Sequence, residues 1–312
     1  MKKWMLATAL SVILGTSAMA ETIGVSMALF DDNFLTVLRN AIVDHAKEKG
    51  VKLQVEDAQN DVGKQLNQIQ NFAASKVDAI IVNPVDTDAT AAMSKAAADA
   101  GIPLIFVNRM PANIDKLPPK QAFVGSNEAD SGTLETKEIC RLLKAKGVKD
   151  AKIVVMMGEL SNQAARQRTQ DIEDVIATPD CTFMKIVEKQ TANWKRTEAA
   201  DLMTNWLSAG VKFNAFIANN DEMAIGGIQS MKAAGVSTKD SLVGGVDATK
   251  DALAAMQAGD LSVTVFQNAA GQGQGSVDSA LKLAKGEKVD TKVWVPFELV
   301  TPANLKNYTS KN

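Results

Sequence analysis

Asp78-Ala79-Ile80-Ile81-Val82-Asn83 is a short apolar run that ends on an amide, and Asn214-Ala215-Phe216-Ile217-Ala218-Asn219-Asn220 repeats its pattern later in the chain. Each run leads into a helical stretch, then an Ala-Gly pair (Ala100-Gly101 and Ala234-Gly235), then a second strand closed by a polar residue, Asn108 or Asp247. Nearly continuous runs rich in Val and Ile are how strands buried on both faces of a parallel sheet read in sequence. The repetition implies two halves built alike. In both, a polar side chain stands just past the carboxyl end of a strand, where open α/β sheets bind ligands.

The same signal recurs in Thr22–Ala28, Pro103–Val107 and Lys152–Met157. Between such runs lie amphipathic stretches. Phe34, Leu38, Ile42 and Ala46 share one helical face, with Asp31 or Asp32 to cap its start and Gly50 to end it. The alternation predicts strands near 22–28, 51–56, 78–82, 103–107, 122–126, 152–157, 183–188, 214–218, 241–246, 262–267 and 292–296, with helices between most of them. That is too many strands for an eight-unit barrel, and two doubly wound sheets fit better. No low-complexity linker separates the halves, so several strand crossings are expected to join them.

The 312 residues hold 34 Lys and Arg against 36 Asp and Glu, so the chain lacks the basic field that nucleic-acid partners need. The start reads as a secretory signal spanning 1–20: Lys2 and Lys3, an apolar run from Trp4 to Leu14, and Ala18-Met19-Ala20 as a cleavage site after Ala20. Its apolar core is too short for a membrane span. Export to an oxidising compartment makes the two cysteines, Cys140 and Cys181, a disulfide candidate.

Catalytic chemistry finds little support. His45, the single histidine, sits in Asp44-His45-Ala46-Lys47-Glu48-Lys49, a polar face where a solvated side chain is expected. With it go the Ser-His-Asp and His-based metal arrangements, and the cysteines lack zinc-ligand spacing. No cofactor or metal site is expected. Asp31-Asp32 and Asp221-Glu222 are read as helix caps. Gly271-Gln272-Gly273-Gln274-Gly275 lacks the Lys-Ser/Thr of a phosphate loop, and close helix packing explains it better. What remains are polar residues at strand and helix ends: Asn108, Arg109, Arg168, Asn220, Asp247 and Gln267. Amides, carboxylates and guanidinia converging from two sheets suit a neutral polyhydroxylated ligand. Phe34 and Trp194 supply flat apolar walls for such a ring.

Asn220-Asp221-Glu222-Met223-Ala224-Ile225-Gly226, Asn83-Pro84-Val85-Asp86, Asn108-Arg109 and Gly244-Gly245-Val246-Asp247 resemble the ribose-type periplasmic sugar-binding proteins of ABC transporters, over nearly all of 22–300. The resemblance implies the type I periplasmic binding protein architecture. Two Rossmann-like α/β domains with doubly wound parallel sheets are joined by a three-stranded hinge, with crossings near Ser126-Asn127, Gln267-Asn268 and Glu298-Leu299. The lobes would then be 21–126 plus 268–298, and 127–267 plus 299–312. Carried over by position, the pattern implies polar ligand contacts from Asp32, Asn108, Arg109, Arg168, Asn220, Asp247 and Gln267, with Phe34 and Trp194 stacking on the ring. This sequence has Asp32 where that pattern has Asn, Asn108 where it has Asp, Leu35 and Val246 where it has Phe, and Trp194 where it has Phe. Exchanging carboxylate and amide changes which ligand hydroxyls donate, which puts ribose in doubt.

Phe30-Asp31-Asp32, Val107-Asn108-Arg109, Val265-Phe266-Gln267 and Val293-Trp294-Val295-Pro296-Phe297 are most similar to the myo-inositol-binding branch. The expected function is capture of a sugar or cyclitol, first myo-inositol and in the alternative ribose, galactose or another monosaccharide. A monomer is expected to deliver it to a membrane permease with its ATPase subunits, and a chemoreceptor is a further candidate partner. Two other classes share parts of this pattern: an exported sugar-acting enzyme, and the effector domain of LacI-type repressors. The exported start and the lack of a basic helix-turn-helix argue against the regulator.

Overall fold

The computed structural model describes residues 20–312. The segment read as an export signal lies outside the described residues, apart from Ala20. The first half alternates β1 (Thr22–Met27), α1 (Asn33–Glu48), β2 (Lys52–Asp57), α2 (Val62–Ala74), β3 (Ala79–Val82), α3 (Thr90–Asp99), β4 (Leu104–Val107) and β5 (Gln121–Gly125). The chain continues through α4 (Glu128–Ala145), β6 (Ala151–Met157), α5 (Gln163–Ala177), β7 (Met184–Thr191), α6 (Arg196–Ser208), β8 (Ala215–Ala218), α7 (Asp221–Ala233), β9 (Leu242–Gly244), α8 (Lys250–Ala258) and β10 (Thr264–Phe266). It ends with α9 (Ala269–Ala284), β11 (Lys292–Trp294) and β12 (Glu298–Val300).

Two parallel sheets result. One has the order β11-β5-β4-β3-β1-β2 and the other β7-β6-β8-β9, while β10 and β12 pair antiparallel. Every residue of β3, β4, β5 and β8 is buried, as their apolar runs require when helices cover both faces. The two halves are built alike down to single hydrogen bonds. β3 pairs with β1 as β8 pairs with β6. The amide after each strand repeats one contact: Asn83 Oδ1 accepts from Ala28 N at 3.4 Å, and Asn219 Oδ1 accepts from Gly158 N at 3.1 Å.

The chain passes between the lobes three times. The strand β11, ending at Trp294, lies in the first sheet, and β12, starting at Glu298, pairs with β10. Val295 N still donates to Gly125 O in the first lobe, whereas Glu298 already pairs with Phe266 in the second. The strand β12 escaped the sequence pattern because three antiparallel residues carry too little periodicity to be read.

Two further expectations change. His45 is not solvated: its side chain is 12% exposed and its Nε2 lies 3.0 Å from Asp278 Oδ1. It bridges α1 to α9, which pack so closely that a Cβ on Gly273 would fall 2.7 Å from Ala41 Cβ. That contact explains one glycine of the Gly-rich run by helix packing. Asp221 is not a cap either. Asn220 caps α7 through Met223 N, while buried Asp221 accepts from Thr249 N at 2.9 Å and Thr264 Oγ1 at 2.8 Å, pinning the loop after β9. Cys140, in α4, is bridged to Cys181, with the Cα atoms 5.9 Å apart.

Candidate functional site

All nine residues singled out from the sequence line one cavity between the lobes: Asp32, Phe34, Asn108, Arg109, Arg168, Trp194, Asn220, Asp247 and Gln267. Most are buried, and Asp32 and Trp194 are partly so. The first lobe presents its groups from the starts of helices and ends of strands. Asp32 Oδ1 caps α1 by accepting from Leu35 N at 2.7 Å, which fixes the carboxylate at the cavity and seats Phe34 one residue into the helix. Asn108 and Arg109 follow β4, and Arg109 is anchored by donating from Nη1 to Pro84 O at 3.0 Å.

The second lobe answers with a guanidinium. Arg168, on α5 and 3% exposed, donates from Nε to Glu128 Oε2 at 2.8 Å and from Nη1 to Asn219 O at 2.7 Å. Its guanidinium carbon lies 5.6 Å from the centre of the Trp194 ring, within cation–π range. Trp194 itself rests on Gly158, where a Cβ would fall 2.2 Å from the indole, so no side chain is admissible at 158. Asn220 donates from Nδ2 to Trp194 O at 3.3 Å while its Oδ1 caps α7. Gln267, at the second lobe passage, donates from Nε2 to Asp247 Oδ1 at 2.9 Å.

Three cavity residues have left-handed backbone. Asn108 has φ 66°, Trp194 65° and Asp247 124°, conformations that cost energy for side chains of this size. Such angles persist only where surrounding contacts hold them.

The charges are buried too. Burial pushes the Asp247 carboxyl well above the ordinary range, with Arg168 opposing and Asp221 reinforcing. Burial also raises Asp32 and lowers Arg109. Burial would lower the Arg168 guanidinium, but Glu128, Asp247 and Glu135 outweigh it and keep the cation. Behind the cavity, burial lifts Asp171 to about 6, against a hydrogen bond from Gln167. Its Oδ2 has no partner. A carboxyl raised on folding lowers stability as pH climbs from its unfolded value, near 4, through its folded value. Asp171→Asn is therefore expected to melt higher than the parent at pH 8, by on the order of 1 kcal/mol, with the gain vanishing near pH 4. Thermal melts across that range check it, and a gain that does not change with pH would contradict it.

The lobes also touch above the cavity, so the structure is a closed form. Asn33 Nδ2 donates to Glu222 Oε1 and Asn60 Nδ2 to Glu159 Oε1, both at 2.8 Å. Thr87 Oγ1 donates to Ser161 O at 3.1 Å and accepts from Gln163 N at 3.0 Å, beside an Arg166–Asp88 ion pair at 3.0 Å.

Sequence reasoning missed Glu128, Asn162 and Ala164, which also line the cavity. Glu128 is tied to Arg168 by a pairing 40 positions long, and nothing local marks it. Of the two positions that depart from the ribose pattern by losing Phe, Leu35 lines the cavity but Val246 does not. Val246 packs with Val265 and Phe297 beneath it. Among the described residues no group of three His, Cys, Asp or Glu side chains is placed to hold a metal.

The family model for the periplasmic binding protein domain matches residues 23–288. A provisionally named rhizopine-binding protein of Rhizobium meliloti is 65% identical over the whole of both chains. A ribose import binding protein of Bacillus subtilis is 30% identical over 90% of this chain and 87% of its own. Among solved structures, an ABC transporter solute binding protein from Bacillus halodurans with bound myo-inositol is similar at TM-score 0.86 and 40% identity, over 94% of this chain and 98% of that one. The chain belongs to the periplasmic binding protein family, whose members are solute carriers and not enzymes.

Proposed function

We propose that this member of the periplasmic binding protein family is the solute-binding component of an ABC import system, taking up a cyclitol, myo-inositol or a derivative of it, in the periplasm. The observation that carries the reading is the cavity between the lobes in which buried donors and acceptors from both meet Phe34 and Trp194. A ring with hydroxyls on its whole circumference is matched by partners on all sides. The 65%-identical relative named for rhizopine, an inositol derivative, and the similar structure with bound myo-inositol support the same class.

The mechanism follows from where the contacts sit. Ligand held by Asp32, Asn108 and Arg109 in one lobe and by Arg168, Asn220 and Asp247 in the other makes all its bonds only when the lobes close. It therefore shifts the population toward the closed form by its differential affinity. The closed surface is what the permease with its ATPase subunits would read.

The contacts at the rim add to closure without touching the ligand. Thr87→Val removes the acceptor for Gln163 N and is expected to weaken binding about fivefold, equally for every ligand, because it costs about 1 kcal/mol of closed form. Titration calorimetry with two ligands checks it, and a change in their ratio would contradict it. The function itself is tested by a thermal-shift panel of inositols and monosaccharides. The largest shift is expected from a cyclitol, and a panel in which ribose or galactose acts while cyclitols do nothing would overturn the reading.

A further inference from the structure

Gln272 lies in the Gly-rich run, on the first turn of α9, and is fully buried without lining the cavity. Its Oε1 accepts from Asn108 Nδ2 at 3.1 Å and its Nε2 donates to Ser126 Oγ, also at 3.1 Å. The other Asn108 Nδ2 proton goes to Gln267 Oε1 at 3.1 Å. The orientation of Gln267 is itself fixed. Its Oε1 faces Arg168 Nη2 at 3.4 Å, which can only donate, and its Nε2 donates to Asp247 Oδ1 at 2.9 Å. A carbonyl oxygen is thus held against position 108, and a residue there must offer N–H; a carboxylate would set lone pair against lone pair. That gives a physical reason for an amide where the ribose pattern has an acid.

Both protons of the Asn108 amide are therefore committed to the protein. Its Oδ1 accepts from Asn83 Nδ2 at 3.3 Å and keeps one lone pair. We infer that Gln272 is a specificity-determining positioning residue: by taking the second N–H of Asn108, it makes Asn108 acceptor-only toward the cavity, so the ligand must place a donating hydroxyl there and not a carbonyl. The inference rests on the proposed reading of the cavity as a polyol site.

The test compares myo-inositol with its monoketone analogues, in which one hydroxyl becomes a carbonyl, on ligand-stripped protein. At least one monoketone is expected to bind the wild type about tenfold more weakly than myo-inositol, because its carbonyl leaves two acceptors facing each other. Gln272→Met frees an N–H and is expected to narrow that gap about fivefold. Gln272→Glu keeps an acceptor against Asn108 and restores the gap. Wild-type affinity for every monoketone equal to that for myo-inositol, or an unchanged gap in Gln272→Met with wild-type near-UV circular dichroism, overturns the inference.

The wild type carries a second readout, the nitrogen-labelled side-chain amide signal of Asn108. Slow exchange of the proton held by Gln272, with and without ligand, is expected, and its protection only on ligand addition contradicts the inference. If the wild type ignores every cyclitol, the ligand reading fails, and the exchange of the Asn108 amide still decides the role of Gln272.

Discussion

Arg168→Ala is expected to abolish the ligand-induced rise in melting temperature. The guanidinium is 3% exposed and joins four things at once: Glu128, the Asn219 carbonyl, Gln267 and the Trp194 face. Removing one partner of a buried hydrogen-bonded ion pair costs roughly 3–5 kcal/mol, much of it from the charge left behind. Here the stranded group is Glu128, 2% exposed on the first turn of α4, directly after the first lobe passage. Loss of binding and loss of stability are separable. Adding Glu128→Gln to Arg168→Ala removes the stranded carboxylate and is expected to recover part of the stability without recovering binding. Arg168→Lys keeps a charge but not the fork that spans Glu128 and Asn219, and is expected to fall between. Paired melts with and without ligand measure all three, and an Arg168→Ala protein with the full wild-type ligand shift would contradict the role.

Removing the Cys140–Cys181 bridge is expected to destabilise the second lobe by about 4 kcal/mol on the chain-entropy model while leaving ligand affinity unchanged. The bridge closes a separation of 41 residues. It fastens Cys140 on α4 to the loop before β7, among Ile139, Leu143, Ile172 and Met184. Along α4, Cys140 lies about 18 Å from Glu128 at the rise of an α-helix, so the bridge acts on the unfolded chain and one edge of the lobe, not on the cavity. Urea unfolding of the Cys140→Ala, Cys181→Ala variant checks the first part and calorimetry the second. An unfolding midpoint equal to the wild type would contradict the stability effect, and a large affinity change would show that α4 transmits strain to Arg168.

The strands could be read because burial on both faces leaves a direct trace: Ile80-Ile81-Val82 and Phe216-Ile217 are apolar without alternation. The cavity residues could be found for a related reason. Strand ends in a doubly wound sheet converge, so Asn108, Asn220 and Asp247 announced themselves by topology before any geometry was known. What the sequence concealed depends on distant pairing. Glu128 has no local feature that distinguishes it from any other acid on a first helical turn, and only its approach to Arg168 gives it a role. Asp221 reads as a cap because its neighbour Asn220 is one, yet its carboxylate turns inward to Thr249 and Thr264, where burial lifts it to about 7. His45 sits in a run of charged residues, but the packing of α1 on α9 brings Asp278 to it. Gln272 was hidden by its glycine neighbours, which explained the run by helix packing and left nothing to ask of the residue between them.

The cavity between the lobes is expected to select a cyclitol over a furanose or pyranose. Titration calorimetry of ligand-stripped protein with myo-inositol and with ribose, side by side, measures that preference. One site per chain and an affinity for myo-inositol at least about tenfold above that for ribose are expected, since mismatched donors and acceptors in a buried polar site cost about 1–3 kcal/mol each. Saturable heat from ribose with none from myo-inositol would contradict it.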